Sequence, residues 1–148
     1  MRCGIDTNVL VYAHLPGVPE HERVRDWLLA IFSQTDAILV VTPAILHELV
    51  HVITDGKRFD PPVPMNEALA LAGRYLQASN VECVATDAAA TALAFSLLER
   101  HRLGRKRLAD TLFAATLLSA GVNEMATCNV RDFAVFEGFR LIDPTSDA

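Results

Sequence analysis

Short apolar runs alternate with helix-length amphipathic stretches along almost the whole chain, and this alternation restricts the fold more than any other feature. Strands are expected at 3–5, 37–41, 81–85, 124–128 and 140–142. Helices are expected at 9–13, 19–33, 43–54, 65–77, from the Thr86-Asp87 cap to about 101, and at 108–120. Strands that alternate with helices form a mostly parallel sheet covered on both faces. The pattern therefore predicts an α/β protein.

Local signals refine several of these elements. Thr42 and Pro43 are an N-cap residue and a first-turn proline, and they mark the start of the helix at 43–54. The segment 55–64 holds one glycine and three prolines and is expected to be a loop, and 129–132 is expected to be a turn. The helix at 108–120 is apolar or small almost throughout, so we expect it to be buried nearly all round and to end at Gly121. In the helix at 65–77, the residues expected to face inward are Met65, Leu69, Ala72 and Leu76.

Length and composition limit the class of protein. With 148 residues, we expect one domain over 1–148. No apolar run reaches the roughly 18–20 residues that a membrane span needs, and no secretory signal is recognisable, so a cytoplasmic protein is expected. Cys3, Cys83 and Cys128 each fall in an expected strand, which favours small buried side chains over disulfides. The net charge of −5 gives no general attraction for nucleic acid.

Carboxylates stand where an isolated charge is costly or where ligands collect. Asp6 follows the first strand, and the carboxyl ends of parallel strands form the crevice in which ligands bind. Asp110 lies in the first turn of the most apolar helix, and Glu48 lies in another apolar helix. Each has a structural alternative. The alternative for Asp6 is a helix cap, that for Asp110 is a partner of the helix dipole, and that for Glu48 is a partly exposed helix residue. Asn129 and Asp132 also follow a strand, and a turn is their alternative.

Four short segments together resemble the PIN-domain ribonucleases and, among these, the VapC-type toxins of bacterial and archaeal toxin-antitoxin pairs. The segments are Asp-Thr-Asn-Val-Leu at 6–10, a helical glutamate at Glu48, Ala-Asp-Thr-Leu-Phe-Ala-Ala-Thr at 109–116, and Thr-Cys-Asn-Val-Arg-Asp-Phe at 127–133. The resemblance implies a three-layer α/β/α sandwich with a central, mostly parallel sheet. It also implies an acidic pocket that binds Mg²⁺ or Mn²⁺, for which carboxylate oxygens are suitable ligands.

The resemblance assigns roles to individual residues. Asp6, Glu48 and Asp110 match the family's catalytic and metal-binding positions. Many PIN proteins have an acid where this chain has Asn129, so Asn129 and Asp132 are expected as supporting ligands, with Asp132 supplying nearby charge for catalysis. The implied activity is that of an endoribonuclease toxin of a type II toxin-antitoxin system, which leaves 5′-phosphate and 3′-hydroxyl ends. A homodimer and a cognate antitoxin are the implied assemblies.

A run of cations precedes Asp110. Five of the 13 lysines and arginines lie in it: Arg100, Arg102, Arg105, Lys106 and Arg107. We expect Arg105, Lys106 and Arg107 to bind RNA phosphates beside the acidic pocket. Two alternatives stay open, a solvated helix end and a surface for acidic residues of an antitoxin.

Two other functions compete with the ribonuclease. His47-Glu48-Leu49-Val50-His51 matches the His-Glu-x-x-His signature of zinc metalloproteases. The short chain argues against this function, as does the absence of the extension that carries a third histidine in one large group of these enzymes, because Thr54 and Lys57 occupy those positions. A non-catalytic RNA-binding module would explain the basic run. It would not explain three separated carboxylates.

Overall fold

Strands and helices follow one another in the expected order. The protein is described by a computed structural model over residues 1–146, so the last two residues of the expected 1–148 domain lie outside the description. The strands are β1 (Arg2–Ile5), β2 (Ile38–Val41), β3 (Val81–Cys83), β4 (Glu124–Ala126) and β5 (Arg140–Ile142). The α-helices are α1 (Thr7–His14), α2 (His21–Phe32), α3 (Pro43–Ile53), α4 (Met65–Gln77), α5 (Ala88–Arg100), α6 (Leu108–Ser119) and α7 (Val130–Phe133). A 3₁₀ turn at Arg105–Arg107 precedes α6.

The strands form one sheet in the order β3-β2-β1-β4-β5, and all four neighbouring pairs are parallel. The chain moves from β1 through β2 to β3, then returns across the sheet to β4 and β5. Because crossover connections are right-handed, α1 to α4 cover one face and α5 to α7 cover the other. The inter-helix contacts agree, since α1, α3 and α4 pack in series and α5 and α7 both pack on α6. The predicted three-layer sandwich is confirmed.

The strand order creates a crevice at the edge of the sheet where the strands have their carboxyl ends. The connections after β1 and after β4 leave in opposite directions, and such a switch point is where open parallel sheets bind ligands. Helices of a parallel sheet run antiparallel to the strands, so the N-termini of α1, α3 and α6 lie at this edge too. The edge therefore collects the residues that follow β1 and β4 and the first turns of three helices.

Helix α6 lies directly on β1. A Cβ atom added at Gly4 would stand 2.3 Å from Cδ1 of Leu117, and both residues are in the buried interior. Only glycine permits this approach without displacing the leucine. The contact fixes α6 against the central strand, and the N-terminal turn of α6, which carries Asp110, is thereby held near the carboxyl end of β1.

Most local signals are confirmed. The Thr42 hydroxyl accepts a hydrogen bond from the Ile45 N–H at 3.1 Å, and Pro43 begins α3. Gly121 follows the end of α6 with a φ of +74°, a conformation that favours glycine. Among residues 1–146, no helix is both long and apolar enough to cross a bilayer.

Two predictions need correction. The residues expected to be a turn at 129–132 include most of the short helix α7. In α4, Met65, Leu69 and Leu76 are 54%, 56% and 59% exposed, and only Ala72 of the expected inward face is buried. The residues that α4 buries are Ala68, Leu71, Ala72 and Tyr75.

The cysteines only partly match their prediction. All three are free thiols, and Cys3 is buried as expected. Cys83, at the end of the edge strand β3, is exposed, because an edge strand has a neighbour on one side only. Cys128 is partly buried and lies beyond β4.

Candidate active site

An open pocket of about 370 Å³ lies at the crevice predicted by the sheet topology. Four of the expected site residues line it: Asp6 after β1, Glu48 on α3, Asp110 on α6 and Asn129 after β4. The other lining residues are Thr7, Asn8, Val11, Tyr12, Val52, Arg58 and Phe59. Residues up to 123 positions apart in sequence thus meet in one pocket.

Asp6 is the most enclosed of the carboxylates, at 8% exposure. One oxygen accepts a hydrogen bond from the Thr7 N–H at 2.8 Å, and the other accepts one from the Thr127 hydroxyl at 2.8 Å. Burial, with smaller contributions from the charges of Asp110 and Glu48, raises the pKa of Asp6 to about 6 against the lowering effect of the two hydrogen bonds. Its orientation is therefore fixed from both sides.

Glu48 and Asp110 approach the pocket from separate helices. The Thr7 hydroxyl donates a hydrogen bond to Oε2 of Glu48 at 3.1 Å, so one threonine positions both Asp6 and Glu48. Burial raises the pKa of Asp110, and the charges of Asp132 and Glu48 add to the rise. Three carboxylates that repel one another in a partly buried pocket attract a cation.

The loop after β4 is tied to the other side of the pocket. The Thr127 hydroxyl that donates to Asp6 also accepts a hydrogen bond from the Asn129 N–H at 3.0 Å. The side-chain oxygen of Asn8 accepts one from the Cys128 N–H at 3.1 Å. Sequence reasoning gave Asn8 and Thr127 no role of their own, nor Thr7, although all three stand inside the segments that carry the family resemblance.

Asp132 and Arg107 are placed differently from Asn129. Asp132 is in α7 and does not line the pocket, although its charge acts on Asp110. The Arg107 guanidinium donates a hydrogen bond to the Asp132 backbone carbonyl, and its Nε lies 3.8 Å from Oδ2 of Asp110. Its side chain is only 26% exposed, whereas Arg105 and Lys106 face solvent. Arg107 is thus a partner of Asp110 and separate from the exposed cations.

The zinc-protease pattern does not form a metal site. Glu48 lines the pocket, while His47 and His51 are exposed and do not. Over the described part of the chain, no three His, Cys, Asp or Glu side chains stand close enough together to hold one ion, and this includes Asp6, Glu48 and Asp110, which line the pocket without forming a closed set of ligands. The oxygen donors that converge on the pocket are of the kind that Mg²⁺ and Mn²⁺ prefer, and their mutual repulsion is what such an ion relieves.

Replacing Asp6 with asparagine should stabilise the metal-free protein at neutral pH. Because the pKa of Asp6 is about 6 in the folded protein and 3.8 as its ordinary value, ionisation of Asp6 opposes folding by on the order of 2–3 kcal/mol. The favourable contribution of the protonated carboxyl is complete below pH 3.8 and is lost as the pH rises through about 6. Denaturant unfolding in EDTA should therefore show a higher free energy of unfolding for Asp6→Asn than for wild type, and this difference should grow between pH 4 and pH 7.5.

The matched control is Asp26→Asn, since the Asp26 side chain is 66% exposed. It should change the free energy of unfolding little at any pH. A gain in the free energy of unfolding of Asp6→Asn that is constant from pH 4 to pH 7.5, or absent at pH 7.5, would contradict the raised pKa of Asp6.

Comparisons with known proteins place this geometry in a family. The model of the PIN domain matches residues 4–137, and the chain therefore belongs to the PIN-domain family. Its curated relatives are VapC ribonucleases: it is 30% identical to Ribonuclease VapC24 of Mycobacterium tuberculosis over 144 residues, which is 97% of each chain.

Solved structures share the fold. A toxin-antitoxin complex from Klebsiella pneumoniae matches with a TM-score of 0.64 and 15% identity, over 96% of this chain and 97% of that one. VapBC-1 from nontypeable Haemophilus influenzae matches with a TM-score of 0.67 and 15% identity, over 99% and 100%. The arrangement of sheet and helices is thus common to all three.

Proposed function

We propose that this protein is a Mg²⁺- or Mn²⁺-dependent endoribonuclease that acts as the toxin of a type II toxin-antitoxin pair. The observation that carries the proposal is the convergence of Asp6, Glu48, Asp110 and Asn129 on one pocket at the switch point of the sheet. Membership of the PIN-domain family and the curated name of the VapC24 relative support the same activity.

In this proposal Asp6, Glu48 and Asp110 hold the divalent ion, and the side-chain oxygen of Asn129 supports them. The bound ion supplies positive charge that lowers the pKa of an attacking water and offsets the charge of the phosphodiester transition state. Asp132 acts on the site through its charge on Asp110. Hydrolysis leaves a 5′-phosphate and a 3′-hydroxyl.

The remaining residues of the site fix the ligands. Thr7 and Thr127 hold both oxygens of Asp6, and Thr7 also holds Glu48. Arg107 lies beside Asp110 and limits the repulsion among the carboxylates. Arg105 and Lys106 are exposed on the turn before α6, where they bind RNA phosphates.

The proposal extends to the assembly. A single domain over 1–148 works in the cytoplasm as a homodimer and is inhibited by a cognate antitoxin. The toxin-antitoxin complex from Klebsiella pneumoniae, which has the same fold, supports the antitoxin as a partner. The exposed apolar side chains of α4 provide surface for such contacts.

Cleavage of RNA with and without metal tests the proposal. The purified protein is incubated with total RNA in EDTA, and then with Mg²⁺ or Mn²⁺ added in excess. We expect cleavage only with the metal, and fragments that a 5′-phosphate-dependent exonuclease degrades. Cleavage that is insensitive to EDTA would contradict the metal dependence. RNA binding without cleavage under every metal condition would favour the non-catalytic module instead.

A further inference from the structure

The pocket has a second wall that carries no carboxylate. We give this name to five lining residues, namely Tyr12 and Val11 of α1, Val52 of α3, and Arg58 and Phe59 of the loop at 55–64. None of these residues serves the metal or Asp6 in the proposed reaction. The second wall thus offers two aromatic rings, an aliphatic floor and a guanidinium next to the place where a phosphodiester is cut.

The loop that carries Arg58 and Phe59 is held in place by its own backbone. The N–H groups of Arg58 and Phe59 each donate to the Asp55 carbonyl at 3.1 Å, and the Val63 N–H donates to the Ile53 carbonyl at 2.9 Å. Three prolines in the segment 61–64 restrict it further. Phe59 also packs against the core from its partly buried position. Its ring is therefore presented to the pocket by a fixed support.

Arg58 contributes charge at the same position. Its side chain is 64% exposed, and Nε lies 3.9 Å from Oδ2 of Asp55. An exposed pair at this distance holds the guanidinium weakly. Asp55 already accepts a hydrogen bond from the Lys57 N–H at 2.9 Å, and the nearby Asp60 does not line the pocket. The guanidinium is therefore able to turn towards an incoming phosphate.

The geometry points to a nucleotide subsite on this wall: Phe59 stacks on an unpaired base of single-stranded RNA next to the scissile bond, and Arg58 binds the phosphate of that nucleotide. This inference rests on the proposed ribonuclease function and adds to it the two side chains that hold one nucleotide. Unpaired bases stack on aromatic side chains and on arginine planes, whereas the bases of a duplex are already stacked. A pocket of about 370 Å³ has the size of a site for one small ligand.

The test measures binding apart from cleavage. A fluorescein-labelled 12-nucleotide RNA of mixed, unstructured sequence is titrated with the protein in Ca²⁺, and anisotropy gives the Kd. We expect Phe59→Ala to raise the Kd roughly 5- to 150-fold, the range for losing one base-stacking aromatic. Phe59→Leu should lose almost as much although it retains apolar packing, and Phe59→Trp should retain most of the affinity.

A second oligonucleotide isolates the stacking contact. This oligonucleotide is made as a series, and each member is abasic at one different position. The phosphate backbone is then unchanged while one base is missing. At the position that Phe59 recognises, removal of the base should weaken wild-type binding and should have no effect on Phe59→Ala. Additive losses at every position would overturn the assignment.

Salt dependence tests the arginine. Arg58→Ala should lower the slope of log Kd against log salt by about 0.7, the amount for one phosphate contact of a single strand. The matched control is Arg25→Ala in α2, an exposed arginine paired with Asp26 that does not line the pocket. It should leave the slope unchanged.

Failure of this inference differs from failure of the proposed function. Metal-dependent cleavage by the wild-type protein, with equal Kd values for wild type, Phe59→Ala and Phe59→Leu, would overturn the subsite and leave the ribonuclease intact. A wild-type protein that neither binds nor cleaves RNA would overturn both. Thermal unfolding of each variant confirms that a change in Kd belongs to a folded protein.

Discussion

Replacing Asp110 with asparagine should lower metal-dependent RNA cleavage by roughly 10²- to 10³-fold or more and leave the fold intact. An ion in the pocket contributes several kcal/mol to the transition state, and about 1.4 kcal/mol corresponds to a factor of ten in rate. Asp110 is partly buried in the first turn of α6, so its replacement by asparagine removes a proposed metal ligand and a repelling charge together and leaves no cavity. Cleavage rates and thermal unfolding of wild type and variant provide the measurement.

Asp132→Asn is the matched control for this experiment. It removes a carboxylate that acts on Asp110 through space but does not line the pocket. We expect it to reduce cleavage far less than Asp110→Asn, and Asp6→Asn to match Asp110→Asn. Equal losses for Asp132→Asn and Asp110→Asn would place Asp132 among the metal ligands. Full activity of Asp110→Asn would disprove the proposed ligand set.

Glu48→Gln should likewise abolish cleavage, whereas His47→Ala and His51→Ala should retain most of it. Glu48 lines the pocket and accepts a hydrogen bond from the Thr7 hydroxyl, while the two histidines are exposed and lie outside the pocket. A helix turns by about 100° per residue, so His47 and His51 share a direction that Glu48 does not. A zinc protease requires the opposite result, because both histidines would bind its metal.

Metal content and a peptide substrate make this comparison decisive. Purified wild-type protein should contain no stoichiometric zinc and should not cleave casein. The Glu48→Gln protein should unfold at nearly the same temperature as wild type, since Glu48 is exposed and a glutamine oxygen is still able to accept the hydrogen bond from the Thr7 hydroxyl. Stoichiometric zinc that both histidine variants lose, together with casein cleavage, would replace the ribonuclease with a protease.

The order of strands and helices was predictable because hydrophobic periodicity and capping residues are local. The face that α4 buries was not. On a helical wheel, the buried Ala68, Leu71 and Tyr75 and the exposed Leu69 and Leu76 form one wide apolar arc, and the mean directions of its two halves differ by roughly 115°. Periodicity identifies the arc but not the half that meets a neighbour. The packing of α4 on α3 and β3 decides that.

The candidate site, too, was only partly predictable from the sequence. Asp6, Glu48, Asp110 and Asn129 were expected together because the segments that resemble the PIN-domain ribonucleases imply one acidic pocket, and the position of Asp6 at the carboxyl end of a strand agrees with it. The direction of the Arg107 side chain, by contrast, depends on a carbonyl in α7. The position of Phe59 depends on a hydrogen bond between Val63 and Ile53 at the base of its loop. Neither interaction has a sequence signal.

The Thr127 hydroxyl donates a hydrogen bond to Asp6, which lies 121 residues earlier in the sequence, and accepts one from the N–H of Asn129, which lies two residues later. Since β4 pairs with β1 along its whole length, the pocket comes into existence only when the C-terminal part of the chain has docked on the N-terminal strand. A chain that ends after α4 still lacks Asp110, Thr127 and Asn129. A growing chain therefore has no complete pocket until most of its residues have been added.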